Sequence, residues 1–219
     1  MQRPPATQRP SAGAPAAALA ETMVLFDWNG TVVVDADRAR AALNVVLARR
    51  GIPVLGEAEF SVRFRLPLAQ LFGRLGVPDA DASDAEEEWN HEMAETRAHL
   101  SDGAAECLAA LSEAGAWLGV VSAASPAAVR FDQRSLAVPA VWNSVDASVA
   151  DKFETLLRHR PTRPIAYYVG DTPDDMRCAS AAGYIPVGVT DAYSRPETLR
   201  SAGAAHVIGG LDELLAIIA

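Results

Sequence analysis

The most constraining feature of the sequence is an apolar run, Met23-Val24-Leu25-Phe26, that passes straight into Asp27-Trp28-Asn29-Gly30-Thr31. A run of this length suits a buried strand, and Gly30-Thr31 turns the chain sharply after it. In an open α/β sheet, a carboxylate so placed stands at the carboxyl end of a strand, the edge where such sheets bind ligands. Taken alone, the stretch reads as well as a plain strand and turn. Its meaning depends on what the rest of the chain sets beside it, and Asn29 is the residue that needs explaining.

The pattern after this stretch changes once. From Asp35 to Arg50 an amphipathic helix is expected, with Ala39, Leu43, Val46 and Leu47 on one side and Gly51 and Pro53 as stops. A second helix is expected over Pro67 to Leu75. A third follows the acidic run Asp79 to Glu88, through Trp89, Met93, Thr96 and Leu100. Residues 35–100 thus read as an all-helical insertion placed to act as a lid.

From Asp102 onward strands alternate with helices. Helix Gly103 to Ala114 precedes strand Trp117 to Val121, and a helix beginning at Pro126 leads to a strand candidate at Val138 to Trp142. Helix Asp151 to Arg158, strand Ile165 to Val169 and a helix through Gly183 come next. Strand Ile185 to Val189, helix Pro196 to Ala202, strand His206 to Ile208 and helix Leu211 to Ile218 complete the chain. That alternation predicts an α/β fold, a doubly wound parallel sheet, with residues 23–34 and 101–219 as the core.

A length of 219 residues suffices for one core with a small second lobe. The net charge of −9, with no basic stripe, argues against a nucleic-acid partner. Residues 1–22, rich in Pro and Ala and without periodicity, read as a disordered leader and not a signal peptide. No segment approaches a membrane span, so a cytoplasmic protein is expected. Cys107 and Cys178 have no metal-like spacing and read as small apolar side chains in a reducing compartment. Every basic residue among the 19 is Arg except Lys152, which raises the question of why that Lys is there.

Three expected strands end in polar residues of one kind: Asp27, Ser122, and Asp171 with Asp174 and Asp175 behind it. Lys152 opens a helix between them. In a parallel sheet these positions converge on one edge. Carboxylates gathered there repel unless a cation neutralises them, and all-oxygen ligation is what Mg²⁺ prefers. A cation, a hydroxyl and an ammonium around a carboxylate suit a phosphoryl group.

In these residues the chain resembles the haloacid dehalogenase superfamily, in the phosphoglycolate phosphatase-like branch whose helical cap follows the first strand. The resemblance covers residues 23 to 219. Its four motifs occur in order: Asp27-Trp28-Asn29-Gly30-Thr31; the strand Leu118-Gly119-Val120-Val121-Ser122; Lys152; and Gly170-Asp171-Thr172-Pro173-Asp174-Asp175 with Ala181-Ala182-Gly183. The resemblance implies a Mg²⁺-dependent phosphatase of a small phosphorylated metabolite, with Asp27 as nucleophile forming an aspartyl-phosphate. It implies that Asp27, Asp171 and the Asn29 main-chain carbonyl ligate Mg²⁺. Ser122, the Ala123 amide and Lys152 would hold phosphoryl oxygens, with Thr31 fixing the turn and approaching the phosphate. Asp175 would bond to metal waters or orient Lys152.

One departure stands out. The family's first motif has a second Asp, which protonates the leaving group and activates water; here it is Asn29. An amide transfers no proton near neutral pH, which puts ~10²–10⁴-fold of acid–base assistance in doubt. Three readings remain open. The substrate has a good leaving group, such as an acyl phosphate; another group supplies the proton; or the protein is a weak or inactive relative that binds a phosphorylated ligand in a regulatory role. Arg63 and Arg65 in the cap are candidates to meet an anionic distal group, and they read equally well as solvated charges. His91 and His99 read as surface residues. Oligomeric state is not legible from the sequence.

Overall fold

The computed structural model describes residues 18–65, 67–95, 98–190 and 194–218. Its first elements are β1 (Thr22–Phe26), β2 (Val33–Val34), α1 (Ala36–Arg49), α2 (Glu57–Arg63), α3 (Leu68–Leu75), α4 (Ala82–Glu95) and β3 (His99–Leu100). They are followed by α5 (Ala104–Glu113), β4 (Trp117–Val121), α6 (Pro126–Ser135), β5 (Ser144–Asp146) and α7 (Lys152–His159). The chain closes with β6 (Ile165–Gly170), α8 (Pro173–Ala181), β7 (Ile185–Val189), α9 (Pro196–Ser201), β8 (His206–Ile208) and α10 (Leu215–Ile218).

Among the described residues the main sheet runs β5-β4-β1-β6-β7-β8, with every pairing parallel. β1 lies between β4 and β6, so the chain fills one side of it and then crosses to the other. Connections that diverge in this way open a crevice at the carboxyl ends of the strands they leave. All five residues of β1 are buried, because helices cover both faces. Val24 and Phe26 pack with Leu108 and Leu111 of α5 and Val129 of α6. Met23 and Leu25 face the other way, toward Leu156 of α7 and Ala179 of α8. The expected doubly wound α/β fold is the fold observed.

The four helices α1 to α4 bury a separate core that includes Leu43, Leu47, Leu71, Phe72 and Met93. The antiparallel pair β2–β3, in which Val33 faces Leu100 and Val34 faces His99, ties the two ends of this segment together. One buried ion pair also crosses from it to the sheet layer. Arg38 of α1 donates to both carboxylate oxygens of Asp132 in α6, at 2.5 and 3.0 Å. Trp28 Nε1 donates to the same carboxylate at 3.1 Å.

Several local expectations are corrected. His99 and Leu100 form a strand and not the end of the third helix, while Thr96 lies outside the described residues. Val138 to Trp142 is not a strand: Pro139 has no N–H for a ladder, and the Val141 N–H turns back to the Pro139 carbonyl. The strand is instead Ser144–Asp146, and Asn143 beside it exchanges two 2.8 Å bonds with the Leu118 backbone, one through its side chain. Helix α2 had no sequence signal, since its seven residues bury only Phe60. The last helix splits into a 3₁₀ turn, Leu211–Glu213, and α10. Residues 1–17 of the expected leader lie outside the described residues. At its end Leu19 packs on the core and donates to the Ala114 carbonyl at 3.0 Å, and Thr22 already belongs to β1.

Asp132→Ala would take from Arg38 its two-bond carboxylate partner and from the Trp28 indole N–H its acceptor, both in the interior. Removing one partner of a buried pair costs roughly 3–5 kcal/mol, so urea unfolding of this variant is expected to show a loss of that size.

Candidate active site

The local sequence explains how each side chain reaches the sheet edge. β1 delivers Asp27, β4 delivers Ser122 and β6 delivers Asp171, on three adjacent strands. Asp151 caps α7 by accepting from the Glu154 N–H at 3.0 Å, which makes Lys152 the first residue of that helix. Thr172 caps α8 through a reciprocal box with Asp175: the Thr172 hydroxyl accepts from the Asp175 N–H, and the Asp175 carboxylate accepts from the Thr172 N–H. The segment after Ser122 is braced from the side, because Ser122 N–H donates to the Asp146 carbonyl and Val149 N–H to that of Ser122, both at 3.0 Å.

At the centre, Lys152 Nζ donates to Asp27 Oδ2 and to Asp175 Oδ1, each at 2.6 Å. Asp175 Oδ1 also accepts from Tyr168 OH at 3.3 Å, and its Oδ2 accepts from the Thr172 hydroxyl at 2.6 Å. Asp27 Oδ1 accepts from the Trp28 N–H at 2.7 Å. Thr31 donates its hydroxyl to Asp171 Oδ1 at 3.3 Å. Asp27, Asp171 and Asp175 each offer an oxygen within 4.8 Å of the others, and all three are buried. Gly30 is needed for this approach. Its φ is +74°, and a Cβ there would sit 2.4 Å from Asp171 Oδ2.

Burial pushes the Asp27 carboxyl up; the Lys152 charge opposes this, Asp175 adds to it, and hydrogen bonds from Lys152 and Ser122 oppose it again. Asp171 is raised well above the usual carboxylate range by burial, then by repulsion from Asp175 and Asp27. Burial alone would favour loss of the Lys152 proton, but Asp175 and Asp27 hold it well above the ordinary range. These shifts describe one condition: three buried carboxylates face a single ammonium. Carboxylates that outnumber the ammonium three to one, with an all-oxygen donor set, suit a small divalent cation such as Mg²⁺, which would favour their ionised forms.

Asn29 stands apart from Lys152. Its side-chain Nδ2 donates to Asp35 Oδ2, and its Oδ1 is buried without a hydrogen-bond partner. Ala123 is exposed on the segment after Ser122. Arg63 and Arg65 are not brought to this cluster. They are exposed and, with Val62, Leu71, Arg74 and Leu75, line a cavity of about 470 Å³ in the helical segment to which none of the motif residues contributes. Leu66 of the same loop lies outside the described residues. His91 and His99 are exposed.

Sequence reasoning missed Tyr168, which sits inside an apolar strand, and Asp35, Arg38 and Asp132, which look like ordinary helix charges. The spacing Thr172-x-x-Asp175 is a capping-box signal and was available to place Asp175.

A family model described as haloacid dehalogenase-like hydrolase matches residues 24–189. The chain belongs to this family. No curated protein sequence matches it. Among solved structures, a haloacid dehalogenase-like family hydrolase from Streptococcus pneumoniae has a TM-score of 0.77 at 19% identity, covering 91% of this chain and 99% of that one. A predicted phosphoglycolate phosphatase from Haemophilus somnus has a TM-score of 0.78 at 17% identity, covering 90% and 97%. A variant of CbbY from Rhodobacter sphaeroides, in complex with xylulose-1,5-bisphosphate, has a TM-score of 0.72 at 25% identity, covering 90% and 96%.

Gly30→Ala carries both a strained φ, roughly 1–3 kcal/mol, and the clash with Asp171. Gly51→Ala shares a positive φ of +66° but has no atom within 4 Å of the new Cβ. Thermal unfolding is expected to show the larger loss for Gly30→Ala, which should also lose any hydrolytic activity while Gly51→Ala keeps it.

Proposed function

We propose that the protein is a Mg²⁺-dependent phosphatase of a small phosphorylated metabolite, with Asp27 as nucleophile. The observation that carries this reading is the doubly paired Lys152, bonded at 2.6 Å to both Asp27 and Asp175. A cation at the first position of a helix is opposed by the helix dipole. The two carboxylates outweigh that, and they leave the ammonium beside the group that attacks.

Asp27, Asp171 and the main-chain oxygen of Asn29 are the residues assigned to Mg²⁺. Asp175 offers an oxygen to the same region, but donors from Lys152, Tyr168 and Thr172 already occupy both of its oxygens. It is assigned to positioning Lys152. Mg²⁺, when bound, neutralises the carboxylates and draws charge from the phosphoryl oxygens. Ser122, the Ala123 N–H and Lys152 hold those oxygens, and Thr31 steadies the turn through Asp171.

The chemistry proceeds in two displacements. An Asp27 oxygen bonds to phosphorus while the bond to the leaving oxygen breaks, and the leaving group departs with that electron pair. Water then attacks phosphorus, and the pair of the Asp27–phosphorus bond returns to the carboxylate. Both water protons leave on dihydrogen phosphate, which gives one to solvent. With Asn29 in place of an acid, leaving groups that depart as stable anions are favoured.

Residues 35–100 are assigned as the cap over this site. Arg63 and Arg65, with Arg74 beside them, remain its candidates for a distal anionic group. Among the described residues no helix is long and apolar enough to cross a membrane, and Cys107 and Cys178 are free thiols. The free thiols are in keeping with the cytoplasmic site of action proposed for the protein.

Phosphate release from acetyl phosphate and p-nitrophenyl phosphate is expected with Mg²⁺ and not with EDTA. Asp27→Asn should abolish it while the circular dichroism spectrum remains that of the folded protein. Saturable binding of phosphorylated metabolites, with no release across a broad panel of phosphoesters and acyl phosphates, would instead identify a ligand-binding relative.

A further inference from the structure

The side-chain amide of Asn29 has a donor end and an acceptor end, and its surroundings decide which is which. The group it meets is Asp35, a buried carboxylate just before α1. Asp35 occupies the N-cap position of that helix, yet its side chain makes no capping bond; it reaches back to Asn29 instead. The end of Asn29 that meets it is the NH₂ group, which donates to Asp35 Oδ2. Arg38 Nη2 lies 3.8 Å from the same Asp35 oxygen. Arg38 is in turn clamped by Asp132, which also takes the Trp28 indole N–H. The residues on both sides of the Trp28–Asn29 peptide are therefore held by one buried network.

We infer that Asp35 is a positioning residue that locks Asn29 as a hydrogen-bond acceptor, two residues from the nucleophile, and so restricts the substrate to acyl phosphates and similarly activated phosphates. With Nδ2 committed, the group left over is Oδ1, a buried oxygen with no hydrogen-bond partner. An unpaired buried acceptor is costly, and a donor brought into the site relieves that cost. The attacking water has such a donor. A departing alkoxide does not, and an acceptor beside it would repel its growing charge. The same geometry bears on an Asp in place of Asn29: two buried carboxylates in direct contact do not both ionise, and the proton they keep is tied up in the contact with Asp35 instead of facing the leaving group. This inference rests on the phosphatase reading, and the substrate restriction stands or falls with it. The lock itself does not depend on that reading.

Two measurements test it. In the NMR spectrum of the intact protein, one side-chain amide proton of Asn29 is expected well downfield of the ordinary Asn range, and Asp35→Leu should return it to that range. An unshifted proton in the wild type would overturn the lock whether or not the protein is an enzyme. With acetyl phosphate as substrate, Asp35→Asn is expected to lower kcat about tenfold, the weight of one positioned hydrogen bond, with KM within about twofold. On an alkyl phosphate such as glycerol phosphate, Asn29→Asp and Asp35→Asn are compared singly and together. The pair Asn29→Asp with Asp35→Asn restores a donor–acceptor match in reverse and should exceed both single variants. Equal rates for that pair and Asn29→Asp, or a wild-type rate in Asp35→Asn, would sink the positioning role. Absence of phosphate release by wild type would remove the phosphatase reading and the substrate restriction, while the amide shift would still decide the lock.

Discussion

The site depends on one ammonium held among buried carboxylates. Lys152 bonds to Asp27 from β1 and to Asp175 from α8, so it joins the two halves of the sheet across the switch point. Without it, three buried acidic groups would face one another with nothing to offset their repulsion or the loss of hydration. With it, Asp27 is pinned in place, and the pocket keeps a residual negative charge suited to a divalent cation. The supporting contacts all serve this arrangement. Tyr168 and Thr172 hold Asp175, Thr31 steadies Asp171, and Gly30 leaves room for the Asp171 carboxylate.

A second network lies on the other side of the same turn. Asp132, Arg38 and Asp35 link α6, α1 and the turn after β1 through buried charges that end on Trp28 and Asn29. The two networks meet at Trp28, whose backbone N–H donates to Asp27 and whose indole N–H donates to Asp132, and both act on the five residues that begin at Asp27. One sets the charge at Asp27 and the other sets the amide two positions on. The motif is held from the sheet on one side and from the helical segment on the other.

Much of this was legible in the sequence where local pattern and tertiary role coincide. The apolar runs 117–121 and 185–189 are strands because a buried parallel sheet admits little else. Asp27, Ser122, Lys152, Asp171 and Asp175 were legible together because each stands at a strand or helix end facing one edge. The reading failed where pattern and role part. Val138 to Trp142 looks like a strand by composition, but Pro139 breaks the ladder, and Trp142 uses its ring to pack against Phe26 and Trp28. His99 and Leu100 continue a helical pattern, yet long-range pairing with Val33 and Val34 decides their state.

The sequence by itself determined the parallel α/β core, the inserted helices and the acidic edge, because burial periodicity and the order of the motifs need no knowledge of distant contacts. It also exposed Asn29 as a departure from the family pattern. Only the tertiary structure decided what Asn29 is. Its partner Asp35 is six residues away, and the charge that steadies Asp35 is anchored by Asp132, more than ninety residues further on. An amide carries no sign of which end faces outward until a neighbour claims one of them, and here a buried carboxylate claims the donor.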